Sequence, residues 1–219
     1  MFDRSLVKKE SLNHLRHNWK FPLFVTAVTG FLSVCFNAKD LISSLFSFEL
    51  SSPSVAGFIW FFMSPVLSMA SRYFYLSFVK TREKTSFTTF LEGLNLWIKG
   101  ILSFLYVLAK VILWSILLII PGFIKALSYS MTTCILAENP SLEIKKAVKL
   151  SMLITKVYLF DIFMFYVSFA GWFIIMLLTG GLFGLWLAPY LNTASTFVYL
   201  FLKETALESG TVTHEDFEA

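Results

Sequence analysis

The chain has 219 residues, of which 57% are hydrophobic and only 15% charged, and its formal net charge is +4. Its mean hydropathy is +0.72. Soluble domains carry about a quarter of their residues as charged ones, so this composition excludes an ordinary soluble domain. The segment from Ile162 to Leu202 holds 41 consecutive residues without Asp, Glu, Lys or Arg. One spanning helix needs about 20 apolar residues, so the sequence predicts an all-α, polytopic membrane protein.

Apolar segments in chain order predict six transmembrane helices. Residues 100–137 cannot form one helix, because it would measure about 57 Å and exceed the hydrocarbon thickness of about 30 Å. Pro121 lacks an amide donor and Gly122 can adopt a positive φ, so a tight turn is predicted there, and a second one at Gly180-Gly181. The predicted spans are 21–38, 55–79, 100–120, 123–137, 157–178 and 182–202.

A repeat accompanies these turns, since Trp114 to Phe123 and Trp172 to Gly181 align 58 residues apart. An amphipathic segment precedes each pair of spans, and the third begins at Asn139-Pro140, a typical helix start. The predicted architecture is therefore three helical hairpins, each preceded by an amphipathic cytoplasmic helix. The alternative is that each segment simply extends the span that follows it.

The distribution of basic residues predicts the orientation. With the N-terminus inside, fourteen Lys and Arg lie on the cytoplasmic side of the six spans and two on the other. Cytoplasmic loops of membrane proteins carry such an excess, so both termini are predicted to be cytoplasmic. Residues 1–203 form the predicted membrane domain, and residues 204–219 a disordered acidic tail. Three exposed lysines are expected to contact anionic lipid headgroups: Lys145, Lys146 and Lys149.

Catalytic signatures are missing from the sequence. It contains no HExxH, GxSxG, P-loop or GxGxxG motif, so a protein without enzymatic activity and without a cofactor is predicted. His14 and His17 are i, i+3 neighbours that could share a metal ion, but a solvated interfacial helix explains them better, and no metal site is predicted.

Lys110 is the most informative charge, because it lies eleven residues from both Lys99 and Pro121. It is therefore about 16 Å from either end of its span, beyond the reach of a lysine side chain toward the surface. Inserting such a charge costs about 2.5–3.5 kcal/mol, so Lys110 is predicted to face the bundle interior, with Asn192 and Thr193 as partners. A packing contact and a ligand- or ion-binding role remain alternatives.

Arg72 and Asp161 lie at similar predicted depths and form the second candidate, an ion pair in the inner leaflet. The alternative is that Arg72 extends toward the lipid headgroups. Ser64, Ser68 and Arg72 recur at i, i+4 and i+8 and give the second span a polar face. The other candidates for a polar groove are Ser68, Lys125 and Tyr129.

Two segments carry a resemblance to a known family: "IIPGFIKALSYSMTTCILAENP" from Ile119 and "SFAGWFIIMLLTGGLFGLWLAPY" from Ser168. The chain resembles the bacterial membrane-protein family catalogued as domain of unknown function 975, best from Gly100 to Glu204. That family is similar to the membrane domain of some glycerophosphodiester phosphodiesterases. The resemblance implies a six-span protein of the bacterial cytoplasmic membrane. It supplies no catalytic residues, and no phosphodiesterase activity is inferred from it.

Two functional classes follow from these features. In the first, the protein binds or translocates an amphipathic ligand, a lipid or peptide, along a polar intramembrane groove. In the second, it is a non-catalytic scaffold or accessory subunit that recruits lipids or partner proteins. The expected partners are membrane lipids, anionic on the cytoplasmic side, together with a second copy or another membrane protein, and not nucleic acid.

Overall fold

The computed structural model describes residues 3–16, 18–46, 55–81 and 85–218, with the side chains of 37–46 left out. The regular structure of these residues is helical, which confirms the predicted all-α class. The helices are α1 (Arg4–Arg16), α2 (Lys20–Phe46), α3 (Val55–Thr81), α4 (Phe87–Leu94), α5 (Trp97–Leu117), α6 (Ile119–Ser128), α7 (Thr132–Glu138), α8 (Ile144–Thr155), α9 (Leu159–Val167), α10 (Ala170–Leu178) and α11 (Gly184–Glu208), followed by a 3-10 helix at Glu215–Phe217.

Helix length and hydropathy make the chain a multi-pass membrane protein. Within the described ranges, five helical stretches are long and apolar enough to cross a membrane: Val55–Thr81, Trp97–Leu117, Ile119–Glu138, Leu159–Leu178 and Gly184–Glu208. A sixth is added if α1 and the part of α2 up to Phe36, which meet at 98°, count as one bent span. The three-hairpin arrangement with amphipathic helices remains a prediction.

The break between α5 and α6 differs from the predicted turn. Leu118 is the extended residue between the helices, with φ −161° and ψ 138°. Pro121 and Gly122 lie inside the first turn of α6, where a missing amide donor costs nothing because the first amides of a helix have no intrahelical partner. Gly122 is buried against Ser115 of α5, and an added Cβ would lie 2.9 Å from the Ser115 Cα. Gly122 therefore permits close helix contact and makes no turn.

The predicted break at Gly180-Gly181 is confirmed. Both glycines have positive φ, 60° and 90°. The Gly181 amide donates to the Met176 carbonyl at 2.8 Å and the Gly180 amide to the Leu177 carbonyl at 3.1 Å. This is the Schellman pattern that ends a helix. The aligned glycines Gly122 and Gly180 thus serve different structural purposes, despite their matching sequence context.

Helix α3 is at the centre of the bundle and packs against α2, α4, α5, α7 and α11. Its buried aromatic residues Phe74, Tyr75 and Phe78 belong to one of two hydrophobic clusters. The Tyr75 hydroxyl donates to the Pro22 carbonyl of α2 at 3.3 Å. Burial of an aromatic hydroxyl is tolerated when it finds such a partner, and this contact aligns α2 with α3.

Two further boundaries differ from the expected ones. Helix α8 begins at Ile144 after the N-cap residue Glu143, so Asn139-Pro140 lies in the preceding turn. The segment expected as a disordered acidic tail instead folds back: α11 continues to Glu208, and the Phe217 side chain is buried. Lys203 Nζ lies 4.4 Å from the centre of the Phe217 ring, a cation–π contact that holds this segment against α11.

Candidate functional site

Two cavities with hydroxyl-bearing side chains in their linings flank helix α3. The first, of about 350 Å³, lies between α3, α5 and the segment joining α6 to α7. The second, of about 240 Å³, lies between α2, α3 and α11. Ser64 and Ser68 line both cavities, because they are one turn apart on the same face of α3. The polar face predicted for this helix therefore borders both cavities.

Arg72 supplies the charge of the second cavity. Its Nη1 donates to the Ser195 hydroxyl of α11 at 2.5 Å, and that hydroxyl donates to the Asn192 carbonyl at 3.0 Å. A guanidinium has five N–H donors, and this is the hydrogen bond that Arg72 makes within the described residues. The lining of this cavity combines Arg72 with hydroxyl and amide groups: Thr29, Ser64, Ser68, Ser71 and Asn192. The cavity thus offers a cation and neutral hydrogen-bonding groups.

Unpaired hydroxyls characterise the first cavity. The Ser130 Oγ and Thr132 Oγ1 atoms are buried and have no hydrogen-bond partner in the described part of the chain. Thr132 is 1% exposed. A buried hydroxyl without a partner costs about 1–3 kcal/mol, so both side chains, which belong to residues lining this cavity, keep an unused capacity for hydrogen bonding. Tyr129 and Ser103 also line it.

The structure brings several of the predicted site residues together. Ser68, Arg72 and Asn192 line the second cavity. Ser68 and Tyr129 line the first. Thr193, next to Asn192, is fully buried and its hydroxyl is unpaired among the described residues, but it lines neither cavity.

Lys110 does not face the bundle interior. It is exposed on α5, with its Nζ 5.7 Å from the centre of the Tyr106 ring one turn earlier. Helix α5 packs mainly against α3 and α6, whereas the expected partners Asn192 and Thr193 lie on α11, which packs against α1, α2 and α3. Lys125 is similarly placed near an aromatic ring, 5.1 Å from the centre of Trp114.

The ion pair predicted between Arg72 and Asp161 is not formed. Arg72 faces α11, while Asp161 lies in the first turn of α9, which packs against α6. A carboxylate in the first turn of a helix interacts favourably with the helix dipole, so the position of Asp161 stabilises its charge.

Glu138 is a half-buried charge that the sequence pattern did not predict. Lys80 and Lys203 lie 2.5 Å and 2.8 Å from its Oε1, and the Tyr199 hydroxyl donates to Oε2. These contacts join the ends of α3, α7 and α11. One feature of the sequence could have drawn attention to Glu138: it is the one acidic residue between Glu92 and Glu143.

The lysines expected at the lipid headgroups have different surroundings. Lys145 and Lys149 are exposed, whereas Lys146 Nζ donates to the Glu218 carbonyl at 2.6 Å. Asp216 lies near Glu218 in the C-terminal segment. Its pKa is lowered by hydrogen bonds from the Thr213 amide and hydroxyl, and also by the nearby charges of Lys146 and Lys149.

Of the two histidines considered as a metal pair, the structure describes His14. His14 Nε2 lies 2.9 Å from the Phe78 carbonyl oxygen, and His17 falls outside the described residues.

Comparison with known proteins gives one match. Residues 98–206 fit the model of a family described as a protein of unknown function, DUF975. No curated protein and no solved structure matches the chain. The matched region begins in α5 and ends in α11, so it includes Thr132, Glu138 and Ser195 but neither α3 nor Arg72. Over residues 98–206, this multi-pass membrane protein is therefore similar to the DUF975 family.

Proposed function

We propose that the protein binds an amphipathic ligand with an anionic headgroup in the polar cavities along α3, as a step in retaining or translocating that ligand. One observation carries this proposal. Arg72, inside a membrane-spanning helix, presents its guanidinium to a cavity of about 240 Å³ and makes no ion pair within the described residues.

The charge balance favours an anion. A cation at membrane depth costs about 2.5–3.5 kcal/mol on insertion scales, and a bound phosphate or carboxylate would offset that cost. Hydrogen bonds from a guanidinium to such a group are charge-assisted and often bidentate, so the donors of Arg72 that do not reach Ser195 suit it. Ser68, Ser71 and Asn192 would supply neutral contacts around the same headgroup.

The surroundings of the cavities favour a ligand with apolar chains. Large hydrophobic side chains are exposed near the start of α3, including Phe58, Phe61 and Phe62. Trp60 lines the second cavity itself. The acyl chains of a lipid can lie along this surface and remain in contact with apolar groups. A ligand without apolar chains would obtain no binding free energy from this surface.

The protein is proposed to be a non-catalytic component of the bacterial cytoplasmic membrane with both termini inside, following the excess of Lys and Arg. In that orientation the exposed Lys145 and Lys149 would contact anionic lipids. A relationship to the membrane domain of glycerophosphodiester phosphodiesterases is a hypothesis of ancestry and assigns no hydrolysis.

A scaffold function is the second candidate, and the position of Lys110 favours it. This lysine is exposed on α5, beside the exposed apolar residues Ile112, Leu113 and Ile116. A cation facing lipid is unfavourable, so a neighbouring membrane protein or a second copy that covers this face would stabilise it. Replacing Lys110 with Met should then abolish association without changing retention of an anionic lipid.

Lipid retention tests the proposed ligand site. The wild-type protein, purified from membranes, is expected to retain anionic lipid detectable by native mass spectrometry. Arg72→Gln should lose most of that lipid, and Arg72→Lys should keep part of it, because a point charge remains without the bidentate geometry. Lys125→Gln removes a cation that lines neither cavity and is the matched control. Equal retention by wild type and Arg72→Gln would refute the proposed function.

A further inference from the structure

The two cavities together restrict the headgroup more than Arg72 does alone. Ser64 and Ser68 line both cavities, and Arg72 follows one turn after Ser68 on the same face of α3. One helical turn rises about 5.4 Å, which is about the length of a small headgroup. A ligand whose anionic group lies at Arg72 can therefore place a substituent beside these serines and toward the first cavity.

The lining of the first cavity selects the chemistry of that substituent. Its polar side chains are hydroxyls, and no charged residue of the described chain lines it. The buried Ser130 and Thr132 hydroxyls lack partners within the described residues. A hydroxyl both donates and accepts hydrogen bonds, so the alcohol groups of a ligand can pair with the Ser130 and Thr132 hydroxyls in either direction.

Other substituents fit less well. Among the described residues, an ammonium group would meet no carboxylate in the lining of either cavity, and it would be repelled by Arg72. An apolar substituent would leave the Ser130 and Thr132 hydroxyls unpaired.

We propose, on the basis of the ligand site described above, that the ligand is a lipid whose phosphate diester carries an uncharged, hydroxyl-bearing group, as in a phosphoglycerol headgroup. Arg72 binds the phosphate, and the hydroxyls of Ser130 and Thr132 bind the alcohol groups. Thr132 acts here as a specificity residue, because its Oγ1 is buried and unpaired in the described chain.

The sharpest test compares two lipids that differ only in those hydroxyls. Phosphatidylglycerol and phosphatidylpropanol have the same charge and nearly the same size, and their affinities for the purified protein can be measured by titration in detergent. The wild type should prefer phosphatidylglycerol about tenfold, as expected for the hydrogen bonds of one or two hydroxyls. Soluble glycerol 3-phosphate should compete poorly, since it lacks the acyl chains.

Variants test whether the first cavity causes the preference for phosphatidylglycerol. Ser130→Ala with Thr132→Val should bind both lipids alike, at the affinity of the wild type for phosphatidylpropanol. Thr193→Val is the matched control, because it removes another buried, unpaired hydroxyl that lines neither cavity, and it should keep the tenfold preference. Without lipid, the melting temperatures of these variants should equal or exceed that of the wild type, since each loses an unsatisfied hydroxyl.

The outcomes separate this inference from the proposed function. A wild type without preference, or a double variant that keeps it, would overturn the headgroup assignment even if Arg72→Gln still weakened both lipids. Competition by glycerol 3-phosphate at the concentration effective for phosphatidylglycerol would overturn the assignment to a lipid. If Arg72→Gln changed neither affinity, the proposed function itself would fall.

Discussion

The guanidinium of Arg72 on α3 and the hydroxyl of Ser195 on α11 are joined by a hydrogen bond of 2.5 Å. This contact fixes one edge of the guanidinium and orients the remaining donors relative to the cavity between α2, α3 and α11. A preorganised donor group binds more tightly than a mobile one, because less conformational entropy is lost on binding.

Ser195→Ala should therefore weaken binding of anionic lipid several-fold while leaving Arg72 charged. Loss of a hydrogen bond to a charged group should also lower the free energy of unfolding by about 1.5–3 kcal/mol. Lipid titration and thermal melting of the purified variant measure the two effects. The neighbouring Thr196→Val removes a hydroxyl that donates, within the described chain, to the Asn192 carbonyl, so it should leave lipid affinity unchanged. Equal lipid affinity in Ser195→Ala and wild type would show that orientation of Arg72 does not matter.

Gly122→Ala should destabilise the contact between α5 and α6. The new Cβ would lie 2.9 Å from the Ser115 Cα, which is backbone and cannot move aside cheaply. Overpacking of this kind costs about 1–3 kcal/mol and should appear as a lower melting temperature. Gly171→Ala in α10 is the control, since no described atom lies within 4 Å of its added Cβ apart from its chain neighbours and the nearby backbone of its own helix. If both variants melted like the wild type, the close approach at Gly122 would be disproved.

Glu138→Gln should destabilise the junction of α3, α7 and α11. It leaves the charges of Lys80 and Lys203 without a carboxylate, and the Lys203 side chain is only 17% exposed. Removing one partner of a buried ion pair costs about 3–5 kcal/mol of stability. Because Lys80 is partly exposed, we expect a cost near the lower end of this range. Glu143→Gln, at an exposed carboxylate that makes no cap hydrogen bond, is the matched control. Identical melting of the two variants would argue against a stabilising cluster.

The membrane orientation predicted from the basic residues can be tested by single-cysteine labelling. In a background with Cys35→Ser and Cys134→Ser, a cysteine at Phe123 should react with an impermeant maleimide from outside intact cells. A cysteine at Lys145, which is exposed on α8, should react only after permeabilisation. Labelling of both positions from the same side would contradict the six-span orientation.

Local periodicity predicts the polar face of α3, so Ser68 and Arg72 can be identified from the amino-acid sequence alone. The depth of a residue in the membrane can also be predicted from its position within the span. Whether its side chain points into the bundle depends on which helices pack around it. Lys110 illustrates this limit: its depth predicts an interior position, whereas α5 presents it on the outside.

Two other features depend on tertiary contacts. Gly122 and Gly180 occupy aligned positions in the sequence, yet only Gly180 of the two adopts a positive φ, because Gly122 is packed against Ser115 inside a helix. The cluster around Glu138 is not predictable from local sequence, because its basic partners come from α3 and α11, whose ends meet only in the folded bundle.

Binding of the anionic group of a lipid to Arg72, inside the bundle, can be observed in an experimental structure of the protein in nanodiscs of phosphatidylglycerol. The predicted result is phosphate density within about 3 Å of the Arg72 guanidinium, in the cavity shared with Ser68 and Asn192. A cavity that holds only water, with lipid density confined to the outer surface of the bundle, would contradict the claim.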